Sequence, residues 1–595
     1  VACLIAACGK PGATTIPVPV TAASAAHASA TTSRDVLVPW TLTASDGSGL
    51  VLARVDAKAV VEGPLAYTEL HLYFRNDEDR VREGTFQIVL PPRAAISRFA
   101  MADAGHWLEA EVVPKLVARR AYDDFLHRRQ DPALLEQAAG NQFTAKVFPI
   151  AAKSEKHLLV SYSQELPGTR YALPLRGLPK IERIDVELAT LASDGKRTTQ
   201  QLAERAWQPD RDFEATGLAL PAAVTAGTLV AAQIEVATGA TRDVPRGITL
   251  LVDTSASRGL GFERYLASVR ELVATLRASW GDSLPLAVIG FDQDAELVFA
   301  GRAADFGDGK LRARGAAGAS DLGQALGFAA RHAQPRMLVV TDGVITAGLE
   351  GKALAARVTE LARAKVERLD VALVGGLRDD RVAATLVRAG LPRTGAVLDL
   401  ASDLGHDQVA TALGESVSTD VPIAIPGATW VYPRTIASAR AGTTAMVFAR
   451  LAKPATTIDV VVGTARRTVH ALTGTAPLVE RAIAGAELAE LEGRLATVTG
   501  DAAARLRTEI ANRSVASRVL SRETSFLVLE SDADFARYGI ARTARADVLV
   551  VGPSGVERNR PSTPPARVAR TSDDDPTVEP RAPGPRAARA PATDT

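Results

Sequence analysis

Between residues 248 and 400 short apolar runs alternate with amphipathic stretches, and this alternation leaves few folds open to the chain. The runs at 248–252, 286–291, 337–340, 369–374 and 396–400 are rich in Val, Ile, Leu and Ala, and too short for helices. The stretches 265–277, 322–332, 354–364 and 378–389 carry the helical period. In the first of them Leu266, Val269, Leu272, Val273 and Leu276 share one face. Strand–helix alternation of this kind predicts a parallel sheet wrapped by helices, with 295–300 as an antiparallel partner of 286–291. Open sheets of this class place their sites beyond the carboxyl ends of the strands. Asp253, Ser255 and Ser257 leave the first run together, and Asp342 leaves the third. Carboxylates and hydroxyls without thiol or imidazole form an oxygen shell, which suits a hard cation such as Mg²⁺, Mn²⁺ or Ca²⁺.

Residues 36–167 follow a different period. Apolar and polar residues alternate over 66–75 and 84–90, and further strands are expected at 50–62, 96–102, 107–113, 143–150 and 157–162. A helix at 117–126 interrupts them, with Val117, Ala121 and Phe125 four apart. A mostly antiparallel sheet or sandwich with one inserted helix is predicted. Strands near 171–175 and 184–188 make 168–242 a β linker region packed with that module. After the α/β segment, bounded at 243–405, residues 406–553 read as a smaller β and helical region: strands between 429 and 472, helices at 478–498 and 502–512, and a strand at 524–530. From 554 to 595 the chain is proline-rich, of mixed charge and without apolar period, a composition that predicts disorder.

Four blocks carry a family resemblance. Leu90-Pro91-Pro92, Ala118-Arg119-Arg120-Ala121-Tyr122, Gln130-Asp131-Pro132-Ala133-Leu134-Leu135-Glu136 and the stretch from Asn141 to Ile150 together resemble the VIT domain of inter-alpha-trypsin inhibitor heavy chains and their bacterial relatives. The run from Ser514 to Glu530 is similar to the tail of proteins that join this domain to a von Willebrand factor A (vWA) domain. Asp253-x-Ser255-x-Ser257 in turn resembles the metal-ion-dependent adhesion site of vWA domains, with Ser320 in the place of the family's threonine and Asp342 as the aspartate after the central strand. The resemblance implies a divalent cation held by the three hydroxyls, with the aspartates acting mostly through water. It also implies one coordination position left for an Asp or Glu of a protein partner. Ser320 keeps the hydroxyl of the threonine it replaces and lacks the methyl that restrains its rotamer. The covalent attachment of the mammalian heavy chains to a glycan is not implied, because their C-terminal Asp-Pro-His context is not seen in this sequence.

The two cysteines, Cys3 and Cys8, both lie in the first eight residues, so neither a disulfide framework nor a cysteine zinc site is expected in the folded body. Ile5-Ala6-Ala7-Cys8 resembles a bacterial lipobox, which implies lipidation of Cys8, a flexible tether over 9–35 and, with Gly9 next, an outer-membrane location in a Gram-negative cell. The balance of 69 basic against 68 acidic residues argues against nucleic-acid binding. No HExxH, GxSxG, Walker or dinucleotide motif is found, and the eight histidines are scattered. The expected function is therefore a non-enzymatic cell-envelope binding or adhesion protein, anchored to a membrane through Cys8. An envelope scaffold that binds without metal is the alternative, and a hydrolase a remoter one.

Overall fold

The computed structural model describes residues 38–559 apart from 104–105, 128–133, 139, 167, 237–238, 240, 401–405, 530–531 and 541–547. The lipidation expected at Cys8, the tether at 9–35 and the tail beyond 559 lie outside the described residues. Three sheets organise the rest, and the chain is a multidomain protein of β and α/β units.

The first sheet has twelve strands. Its long hairpins Val51–Glu62, Leu65–Asn76 and Ser154–Glu165 are antiparallel neighbours, and the period-two pattern explains their burial. In Leu65–Asn76 the side chains of Leu70, Leu72 and Phe74 enter the core, while His71, Tyr73 and Arg75 face outward. The core draws together Trp40, Phe86 and Val147 from one half of the strand order and Leu72, Val160 and Val186 from the other, so the sheet folds back on itself. On the outer face His71 Nδ1 and His157 Nε2 are 2.9 Å apart, and Tyr73 stacks on His157 at 3.9 Å. Burial, then the neighbouring His71, lowers His157 to about 4.

One strand of this sheet comes from the far end of the chain. Thr524–Val528 lies between His106–Pro114 and Leu134–Gln137, antiparallel to both. Its residues are buried on both faces: Phe526 and Val528 in the first core, Leu527 against Val113, Ala118 and Ala121 beside the helix Lys115–His127. Two-sided burial is why the run from Phe526 to Leu529 is continuously apolar rather than alternating.

The second sheet, of eight strands, joins Ala223–Ala226 and Leu229–Glu235 to six strands between Ser418 and Thr473. This corrects the expectation for 168–242. Ile181–Leu191 and Arg197–Trp207 do extend the first sheet, with Ile181–Leu191 parallel to Val51–Glu62. The strands after residue 222, however, pair with Thr444–Leu451 and Ala465–Thr473. The α/β segment is thus an insertion within this second β unit. Helix Ala476–Leu495 wedges Val479, Ile483 and Ala486 between Val60 and Tyr67 of the first sheet and Val224 and Phe448 of the second. The hairpin of Val548–Gly552 and Gly555–Asn559 packs Val556 into the same cluster. Regular structure is therefore present at Gly555–Asn559, where disorder was expected from 554.

The inserted segment is a six-stranded sheet in the order Ala295–Arg302, Pro285–Phe291, Ile248–Asp253, Arg336–Thr341, Arg368–Leu373, Val397–Asp399. All neighbours are parallel except the first pair. Helices Phe262–Trp280 and His406–Leu413 cover one face, and Leu322–Ala329, Gly351–Glu360 and Asp380–Val387 the other. Val409, Ala410 and Leu413 belong to its core, so the unit runs past the expected boundary at 405. Its two ends meet: the Asp243 amide donates to Gly414 O at 2.7 Å and that of Ser416 to Thr241 O at 2.8 Å.

A buried ion cluster closes this junction. Asp243 Oδ2 accepts from Arg336 and Arg368, each at 2.9 Å, and Asp370 takes Arg368 at 2.7 Å and Arg336 at 3.3 Å. The two guanidinium groups also donate to Leu413 O at 2.7 Å and Glu415 O at 2.6 Å, on the departing chain. Asp370→Ala leaves two buried arginines short of a counterion. The expected outcome is a loss of about 3–5 kcal/mol, seen as a lower melting temperature of the α/β unit in hydrogen exchange against temperature. A second consequence concerns acid. A histidine in the unfolded chain protonates near 6.5, His157 only near 4. The stability it contributes is therefore full above 6.5 and lost as pH falls from 6.5 through 4. Replacing it by His157→Phe should shrink the drop in melting temperature between pH 7 and pH 4.5.

Candidate functional site

The strand order reverses direction between Ile248–Asp253 and Arg336–Thr341, and the crevice at the carboxyl ends of these two strands is the topological switch point of the sheet. Asp253 ends the first and Asp342 follows the second, both fully buried. The loop after Asp253 turns at once into the short helical turn Ala256–Arg258, which brings residues 255, 257 and 258 back over the strand ends.

Four of the five residues singled out from the sequence form one hydrogen-bonded chain. Asp253 Oδ1 accepts from the Ser255 amide at 2.9 Å, and Ser255 Oγ lies 3.1 Å from Ser257 Oγ. Ser257 Oγ donates to Asp342 Oδ2 at 2.8 Å, while Asp342 Oδ1 accepts from the Val344 amide at 2.9 Å. Ser320 is brought alongside by its backbone: Gly318 O accepts from the Ala256 amide, and the Ser320 amide donates to Thr346 Oγ1 at 2.8 Å. Its own hydroxyl is buried and has no hydrogen-bond partner. Burial, and then the charge of Asp342, raise the Asp253 carboxyl above its ordinary value, against hydrogen bonds from Thr341 and Ser255. Two buried carboxylates side by side create a demand for positive charge.

Reading the motif alone missed the residue that meets this demand. Arg258, directly after Ser257, pairs its Nη2 with Asp342 Oδ2 and places Nε 3.3 Å from Ser257 Oγ. Nη1 lies 3.5 Å from Val374 O, and the guanidinium sits 6.0 Å from the centre of the Tyr265 ring. The signal available was its position: a lone basic side chain next in sequence to a carboxylate–hydroxyl cluster. Thr341, which donates to Asp253 Oδ2 at 2.6 Å, was likewise passed over although it precedes Asp342. Among the described residues no group of three or more His, Cys, Asp or Glu gathers in a way that could hold a metal, so any cation here depends on the serine hydroxyls.

The rim of the crevice touches the first β unit. Asn141 Nδ2 donates to Gly376 O at 2.8 Å, and its Oδ1 accepts from the Arg378 amide at 2.9 Å. Gly140 lies so close that a β-carbon there would come within 2.4 Å of Arg378 O, and its φ of 56° suits glycine. Residues 374–378 are therefore held between Arg258 on one side and Asn141 on the other.

Residues 52–162 match the family model described as the Vault protein inter-alpha-trypsin domain, VIT. No curated protein matches the chain. Among solved structures it is similar to a von Willebrand factor type A protein from Catenulispora acidiphila, 15% identical over 57% of this chain and 90% of that one, with a TM-score of 0.25. The hypothetical protein BatB from Bacteroides thetaiotaomicron is 15% identical over 28% and 96% of the two chains, TM-score 0.22. The manganese-loaded TRAP protein of Plasmodium vivax is 12% identical over 37% and 97%, TM-score 0.21. Likenesses of this size say nothing of what the chain binds. The chain thus joins a segment similar to the VIT domain to an inserted, doubly wound α/β unit whose carboxylates and hydroxyls converge at its switch point.

Proposed function

We propose that the chain is a non-enzymatic binding protein that takes up a divalent cation, Mg²⁺ or Mn²⁺, at the switch point of its α/β unit and uses it to recognise a carboxylate of a protein partner. The observation that carries this reading is the Ser320 hydroxyl, buried without a partner beside the Asp253–Ser255–Ser257–Asp342 chain. A buried hydroxyl left unbonded costs about 1–3 kcal/mol, and a hard cation is a group that would satisfy it. Ser255, Ser257 and Ser320 would hold the ion by their hydroxyls, with Asp253 and Asp342 supplying the charge. The cation's role, when bound, is to offer an open coordination position to an Asp or Glu of the partner.

The residues of the chain do the remaining work. Asp253 is oriented by Thr341 and the Ser255 amide, so its carboxylate is fixed before any ion arrives. Ser257 is exposed at the mouth, where a partner side chain can approach. Attachment of this body to a membrane through lipidated Cys8, in the outer membrane, belongs to the same proposal. Among the described residues no helix is long and apolar enough to cross a bilayer. A second reading, a scaffold that binds without metal, has Arg258 in its favour, since that side chain already neutralises Asp342.

Calorimetric titration of the full chain with Mn²⁺ decides between them. Saturable binding in the wild type that is lost in Asp253→Asn, with the circular dichroism of the two alike, supports the cation site. No binding to the wild type or to a variant lacking Arg258 selects the scaffold. For the anchor, labelled palmitate should be incorporated into the wild type expressed in a Gram-negative host and not into Cys8→Ser; an unlabelled wild type removes it.

A further inference from the structure

Arg258 occupies the oxygens that a cation at the proposed site would need. Its guanidinium is about nine-tenths buried and bonds to Asp342 Oδ2 and Ser257 Oγ, two of the oxygens a cation at this crevice would need. Asp342 has little capacity to spare: Oδ1 serves the Val344 amide, and Oδ2 serves both Ser257 and Arg258. A doubly charged ion brought onto the same carboxylate oxygen would also face a fixed positive charge in a water-poor setting, where like charges repel strongly.

Resting on the cation site proposed above, we infer that Arg258 is an internal counterion that a divalent cation must displace from Asp342, and that this exchange sets the metal affinity of the site. The side chain has somewhere to go. It ends the short turn Ala256–Arg258 between exposed Ser257 and Gly259, so solvent lies next to its backbone.

Displacement reaches beyond the crevice. Arg258 Nη1 lies against Val374 O, and a β-carbon at Gly375 would come 3.0 Å from the same nitrogen. When Arg258 leaves, residues 374–378 lose its contact on the crevice side, while the Val374 amide stays on Thr341 O, Arg378 stays paired with Asp399, and Asn141 still holds Gly376 O and the Arg378 amide. Occupation of the site is thereby felt by the VIT-like unit through one loop, and the exchange of one buried cation for another is the two-state element that allosteric coupling needs.

The test is Mn²⁺ titration of the full chain by calorimetry in the wild type, Arg258→Gln and Arg258→Lys, with melting curves recorded to confirm folding. Arg258→Gln keeps hydrogen-bonding capacity without charge and should bind Mn²⁺ about tenfold more tightly or better, a change of roughly 1.4 kcal/mol. Arg258→Lys keeps the charge and should stay within about threefold of the wild type, a margin of under 1 kcal/mol. Metal bound by Arg258→Gln and not by the wild type is the strongest support. Equal or weaker binding by Arg258→Gln than by the wild type overturns the competition and leaves the cation site standing. An absence of binding in all three proteins overturns both. Hydrogen exchange reads the transmission: Mn²⁺ should quicken exchange at the Arg378 amide in the wild type, and protection unchanged by bound metal refutes the link to the VIT-like unit.

Discussion

Everything above the inserted α/β unit depends on how its two ends are tied. Asp243 and Asp370 hold Arg336 and Arg368, and the same guanidinium groups reach Leu413 O and Glu415 O, at the end of the last helix and on the chain leaving the unit. Each charge is taken out of water, a large expense that only near-complete pairing offsets. The return is positional. With the amino-terminal ends of Arg336–Thr341 and Arg368–Leu373 clamped to the second β unit, their opposite ends, which carry the crevice, have a fixed place against the first. Asn141 completes this grip at the rim, so the unit is held below by ions and above by two hydrogen bonds.

The first β unit is bound into the assembly by segments distant in sequence. Thr524–Val528 fills the gap between His106–Pro114 and Leu134–Gln137, leaving neither with an open edge. Arg481 lies buried where the helix Ala476–Leu495 crosses this sheet and donates to Ser163 Oγ at 3.0 Å, Ile96 O at 2.6 Å and Arg518 O at 3.1 Å. Burial lowers it to about 10, and it remains a cation at neutral pH, satisfied by oxygen dipoles. Glu62, also buried, meets Arg197 at 2.8 Å and accepts from the Thr475 amide at the start of the same helix. These interactions make the two β units and the carboxyl-terminal helices one packed body, into which the α/β unit is inserted.

At the crevice the same electrostatic rule works with smaller numbers. Two buried carboxylates, Asp253 and Asp342, face one guanidinium, Arg258. The neighbouring hydroxyls of Ser257 and Thr341 bond to these carboxylates, Ser255 bonds to Ser257, and that of Ser320 has no partner. The junction pairs its buried charges in a closed network. The crevice keeps a surplus carboxylate and an idle hydroxyl within reach of exposed Ser257. That residual imbalance is what the proposed cation would offset.

Local order was legible in the chain itself. The helical period of Leu266, Val269, Leu272 and Leu276, the alternation across Leu70, Leu72 and Phe74, and the converging Asp253, Ser255, Ser257 and Asp342 all depend on neighbours a few residues apart or on the strand-end rule of open sheets. What sequence could not decide is where a segment goes once formed. The strands after residue 222 chose the second sheet over the first, the hairpin ending at 559 docked where disorder was expected, and Val409 and Leu413 extended the α/β core. Each of these outcomes is settled by which apolar face finds a matching face, a contact between residues far apart in the chain. Arg258 shows the same division at the scale of one side chain. Its place next to Ser257 was written in the sequence, but its burial against Asp342, Tyr265 and Val374 exists only because three separate strands end side by side.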